Sequence, residues 1–149
     1  MNTKILLIII AFGFVAGCSK DKYTSKPQLT YKKVNTKVLN RNESITFSLE
    51  VTDKEGDIQD TIWVEEVVKN CAAGGVRLRY PMPNFNSTKN LSGEIQVCFS
   101  YGVNLGCPSI KEPQCRNRND TAVFKFCIQD KEKNVSDTAR SDQVVIVQQ

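Results

Sequence analysis

Four carboxylates stand within eight residues at Asp53, Glu55, Asp57 and Asp60. Calcium takes six to eight oxygens, so this cluster is a candidate ligand set. Its spacing departs from an EF-hand loop, because Gly56 stands at the fourth position where that loop needs glycine at the sixth. The plainer reading is a tight turn, with Gly56 at positive φ and Asp57 bonding nearby backbone. Six cysteines are present, at positions 18, 71, 98, 107, 115 and 127, and there is no histidine. Without histidine or a Cys-x-x-Cys spacing, zinc is a poor fit. The commonest general base is missing as well, so Ser100, Ser109 and the cysteines lack an activator. No Gly-x-Ser-x-Gly nucleophile motif occurs. The expectation is a protein that is not an enzyme and has no cofactor, with calcium as the one candidate ion. Trp63, Tyr80 and Tyr101 are candidates either for an aromatic ligand platform or for core packing.

The elements that position these residues read as strands. Ser44 to Val51 alternates, with Ile45, Phe47, Leu49 and Val51 on one face. Glu94 to Tyr101 does the same with Ile95, Val97, Phe99 and Tyr101, and Phe124, Phe126 and Ile128 form a third such face. Leu29 to Val34, Val76 to Tyr80 and Val144 to Val147 are shorter strand signals. Thr61 to Ala73 fits either a helix capped by Asp60 or a strand; its β-branched content favours the strand. Glu65-Glu66 reads as a solvated edge. About seven short strands separated by turn signals predict an all-β, antiparallel sandwich of the immunoglobulin-like kind.

The chain also echoes itself. Asn42 to Thr61 matches Asn119 to Thr138 at an offset of 77, with seven of twenty positions identical. Each unit is an alternating strand, an Asp-Lys-Glu turn and the start of another strand. Two such units can sit as partners on opposing sheets, whether by duplication or by convergence of similar corners.

The N-terminus carries an address. Lys4 precedes Ile5 to Phe14, a run with no polar side chain that is too short to span a bilayer as a helix. Val15-Ala16-Gly17-Cys18 resembles the lipobox of bacterial lipoproteins. The resemblance implies cleavage of residues 1–17, lipid on the Cys18 thiol and acylation of the new amine. More than one acyl chain is what stable anchoring requires. Residues 18–27 then form a polar tether, and 28–149 one domain. Export makes the remaining five cysteines disulfide candidates, giving two bridges and one leftover. Cys107 and Cys115 flank a Pro-, Asn- and charge-rich loop and are the pair first expected, worth about 2.6 kcal/mol on the loop-entropy account.

Val51-Thr52-Asp53-Lys54-Glu55-Gly56-Asp57-Ile58 is similar to the strand-D-x-x-G-D-I turn of a group of Bacteroidota cell-envelope lipoproteins with immunoglobulin-like sandwiches. Asp130 to Asp137 resembles their D-x-x-G-N-x-S-D turn, with Lys133 where glycine is usual. The resemblance covers the lipobox and about two thirds of the domain, and it implies a fold and a location rather than a reaction; the outer membrane is the location expected, with the periplasmic and surface faces both open. Asp60-Thr61-Ile62, Asp120-Thr121-Ala122 and Asp137-Thr138-Ala139 resemble the Asp-Thr-aliphatic acceptor used for O-glycosylation in Bacteroidota, which makes Thr61, Thr121 and Thr138 candidate sites. Asp-Thr at the start of strands after turns is the simpler account.

Net charge is +4, with the basic residues scattered and no aromatic-interleaved stripe, so nucleic acid is not an expected partner. The expected partners are a membrane, through lipid on Cys18, and an envelope protein or a glycan. The function expected is a non-catalytic binding module; the alternatives are a structural accessory or spacer of an envelope assembly and, last, a divergent hydrolase.

Overall fold

The structure is a computed structural model, and it describes residues 21–148 apart from 73, 74, 87 and 116. Cys18 and residues 1–17, where a signal segment is expected, lie outside the described residues. Eight strands run in chain order: β1 Gln28–Val34, β2 Val38–Leu39, β3 Ser44–Asp53, β4 Thr61–Val68, β5 Val76–Pro81, β6 Leu91–Ser100, β7 Asp120–Gln129 and β8 Ala139–Ile146. They form a three-stranded sheet ordered β1-β3-β6 and a five-stranded sheet ordered β2-β8-β7-β4-β5. The fold is therefore all-β and two-layered, as the alternating pattern predicts.

Two features differ from expectation. The eighth strand, β2, is two residues long and pairs parallel with β8, so the sandwich is not wholly antiparallel. It forms where the chain leaves β1 at the edge of the small sheet and crosses to the edge of the large one. The segment from Thr61 is a strand, as its β-branched content favours, but a central one: β4 pairs with β7 on one side and β5 on the other. Glu65-Glu66 is therefore not at an edge.

β7 shows why these residues make strands. Asp120, Ala122, Phe124, Phe126 and Ile128 are buried, and every residue between them is partly exposed. That period of two lets one face join the core while the other meets solvent. β3 contributes Ile45, Phe47, Leu49 and Val51 from the opposing sheet, each at most 2 % exposed. The Phe47 ring lies 4.6 Å from Phe124 and 5.3 Å from Phe126, and Phe99 lies 5.9 Å from Phe124. The echoed phenylalanines Phe47 and Phe124 thus meet across the sandwich, as partners on opposing sheets. Burying a phenylalanine contributes about 1.5–3 kcal/mol, so this cluster is a principal reason the layers stay together.

The disulfides are Cys71–Cys115 and Cys98–Cys107, which corrects the expected Cys107–Cys115 pair. Proximity in sequence misled here. Cys98 lies in β6 just before the chain turns back, so Cys107 meets that strand, while Cys115 reaches the segment after β4.

Candidate functional site

The outer face of the five-stranded sheet carries a depression of about 540 Å³, lined by Trp63, Glu65, Arg77, Lys125, Cys127, Val135, Thr138 and Arg140. Register builds it in two rows. Arg79 of β5, Trp63 of β4 and Cys127 of β7 pair in one row. Arg77 of β5, Glu65 of β4, Lys125 of β7 and Arg140 of β8 pair in the next. Paired residues on one face of a sheet project side by side, which is why residues far apart in sequence converge here.

Arg79 stacks on Trp63, with its guanidinium carbon 5.8 Å from the ring centre, and donates to Thr61 Oγ1 at 3.3 Å. Glu65 takes Lys125 Nζ at 2.9 Å and Arg77 Nη2 at 3.2 Å. The Lys125 hydrogen bond, then the charges of Lys125 and Arg77, hold the Glu65 carboxyl below its ordinary range. Glu65 thus pairs with two cations, and Arg140, which lines the same depression, makes no ion pair among the described residues. Cys127, the unpaired cysteine among the described residues, lies in the same depression with its sulfur 3.2 Å from Thr138 Oγ1. The arrangement can hold a ring against Trp63 and an anion against arginine.

The three candidate aromatics do not form one platform. Tyr101 is 1 % exposed and donates its hydroxyl to the Val147 carbonyl, and Tyr80 packs 6.4 Å from Phe99 on the inner side. Trp63 alone faces outward with the cations. The three candidate acceptor threonines also separate. Thr61 is 3 % exposed with its hydroxyl engaged, Thr121 is half-buried, and Thr138 is exposed at the depression.

The carboxylate cluster is rearranged as well. Asp53, Asp57 and Asp130 bring one oxygen each within 4.8 Å of one another. Asp60 is instead paired with Lys133 at 2.8 Å, and Glu55 Oε1 accepts from Ser25. Asp130 is the echo partner of Asp53 and enters because the two corners touch: the Lys131 amide donates to the Asp57 carbonyl at 3.0 Å. Local spacing named two of the three carboxylates; the echo was the signal that could have named the third.

Glu66 was missed altogether as a buried acid. It faces into the sandwich, 6 % exposed, and burial pushes its carboxyl up to about 7, with the nearby charge of Asp120 adding to the rise. Asp120 is itself 3 % exposed, and its Oδ1 has no hydrogen-bond partner.

No protein-family model matches the chain, and no curated protein matches its sequence. Solved structures resemble it in shape only. One is the Pseudomonas fluorescens alkylpurine DNA glycosylase AlkC bound to DNA, 8% identical with a TM-score of 0.49, covering 83% of this chain and 31% of that one. Another is the sporulation control protein Spo0M of Bacillus subtilis, 8% identical with a TM-score of 0.46, covering 85% and 51%. A third is a Listeria innocua β-glucosidase in complex with gluconolactone, 12% identical with a TM-score of 0.38, covering 82% and 16%. The chain spans about a third of the first and half of the second. Likeness at this level bears on neither activity nor ligand.

Proposed function

We propose that this chain is a lipid-anchored envelope lipoprotein of the Bacteroidota type whose immunoglobulin-like domain binds, without catalysis, a glycan bearing carboxylate or phosphate groups. The observation that carries the reading is the outer sheet face, where Trp63 and the cations Arg77, Lys125 and Arg140 line one depression with a single carboxylate, Glu65. An indole offers a flat apolar surface to a sugar ring, and arginine forks match planar anions. A spacer has no use for cations gathered on one open face. The lipobox at Cys18 supplies the membrane address, and an outer-membrane location follows from the resemblance that came with it.

The purified domain is expected to bind an immobilised acidic polysaccharide such as polygalacturonate, more weakly as salt rises. Trp63→Ala and Arg140→Ala should each weaken binding about tenfold or more, and Lys32→Ala on the opposite sheet should not. Equal binding by all four proteins sinks the reading. Anchoring is tested separately: Cys18→Ser should move the protein to the soluble fraction, and continued flotation with membranes would overturn that part.

A further inference from the structure

The corner opposite the disulfides has chemistry that the binding face does not use. Asp53 is 0 % exposed and Asp130 1 % exposed, each at the end of a central strand, one from each sheet. Both first serve their own turns. Asp53 Oδ2 accepts the amides of Gly56 at 2.6 Å and Asp57 at 3.3 Å. Asp130 accepts the Asn134 amide at 2.7 Å and its side-chain nitrogen at 2.8 Å. Turn capping explains why each acid is present, but not why they come together with Asp57.

Three observations ask for a cation. The three carboxylates place one oxygen each within 4.8 Å of one another. Among the described residues no lysine or arginine pairs with any of them, although Lys133 and Lys26 are engaged close by with Asp60 and Asp137. Asp53 Oδ1 is buried with no hydrogen-bond partner, and so is Oε2 of Glu55, whose charge bears on Asp53. Buried acceptors are normally satisfied, so an orphan carboxylate oxygen within a group of acids points to a missing positive partner.

We propose that Asp53, Asp57 and Asp130 bind a calcium ion that joins the two echoed corners. Calcium holds oxygens at 2.3–2.6 Å, so oxygens on opposite sides of one ion are up to about 5.2 Å apart, and three oxygens within 4.8 Å of one another can share one ion. Magnesium demands near-ideal octahedral geometry and dehydrates reluctantly, whereas calcium accepts an irregular set of carboxylates such as this one. Asp53 Oδ1, buried and without a hydrogen-bond partner, is the free donor of that residue, and water completes the shell. The donor count suits a millimolar-range site of the kind found in extracellular modules.

Urea unfolding of the purified protein tests this, at matched ionic strength, with 10 mM calcium or with chelator. Calcium should raise the folding equilibrium constant about 10- to 100-fold, for dissociation constants of about 0.1–1 mM. Asp57→Asn removes a ligand charge while keeping every turn amide, and should shrink the shift to under about twofold. Asp60→Asn lies outside the trio and should keep the full shift. Titration calorimetry should give one calcium per chain. No calcium-dependent shift, no heat, or a shift unchanged in Asp57→Asn would each overturn the proposal.

Discussion

The two ends of the sandwich are closed by different means. At one end the reversals are short: residues 53–61 carry the chain from β3 to β4, and 130–138 carry it from β7 to β8. Each is tied by an aspartate that accepts amides of its own turn. At the other end residues 101–119 form one long crossover between β6 and β7, tied by Cys71–Cys115 and Cys98–Cys107. A short turn can satisfy its own backbone with one carboxylate. A long loop has more freedom to lose and little local bonding to offset it, so covalent ties do the work there. Backbone bonds from Ser100 to Pro108 and from Ile110 to Ser100 then lay the loop against β6.

The largest expected effect lies at the disulfide end. Replacing Cys71 and Cys115 with alanine opens a loop of sequence separation 44 and should cost about 4 kcal/mol, against about 2.6 kcal/mol for Cys98 and Cys107 at separation 9. Chemical denaturation of the two double variants measures both; equal losses would mean that loop length is not what matters there.

The second effect lies at the corner end. Gly56 and Lys133 hold the same echo position with nearly the same backbone, φ +75° and +74°. A Cβ on Gly56 would lie 2.1 Å from the Thr88 carbonyl oxygen, backbone that cannot give way cheaply. Gly56→Ala should therefore cost about 3 kcal/mol or more. A loss under about 1 kcal/mol in the same assay would show that the loop at Thr88 moves freely.

Third, burial raises the pKa of the acids at both ends, but only at the corner end do turn amides oppose the rise. Glu66, at the disulfide end, has no turn amides to hold its charge, and its folded pKa of about 7 lies above the ordinary 4.5. The stability it contributes is full below about pH 4.5 and falls as pH rises through 7, by about 3 kcal/mol in all. Glu66→Gln should gain on the wild type by that amount between pH 4.5 and 8. Parallel pH curves would mean that Glu66 is solvated. Asp53 shifts the same way, raised first by burial, though amides of Gly56 and Asp57 oppose the rise.

The smallest effect closes the contrast between the corners. Lys133→Gly relieves a left-handed lysine and loses only an exposed ion pair to Asp60, so it should stabilise by about 0.5–1 kcal/mol. Destabilisation would mean that the Lys133–Asp60 pair matters more than the backbone.

Much of the architecture was legible from residue order because strands announce themselves locally. The alternation in Ser44 to Val51 and the β-branched run from Thr61 depend on neighbours a few residues away, and β3 and β4 form there. The Asp-Lys-Glu echo likewise located both corners. Partnership was not legible. Glu66 looked solvated because it follows a second glutamate, yet the period of two turns it inward with Val64. Cys107 and Cys115 looked paired because they are close in the chain, but β6 and the segment after β4 claim one each.

By itself, then, the sequence determined the strand content, the turn chemistry at Asp53 and Asp130, and the run ending at Cys18 that resembles a lipobox, since each is written in residues close together. Tertiary structure decided which cysteines bond, which acid is buried, which aromatic faces outward with the arginines, and that Asp130 rather than Asp60 joins Asp53 and Asp57. Those outcomes depend on strand order and register, which bring residues tens of positions apart to within a few ångströms and leave no mark on local spacing.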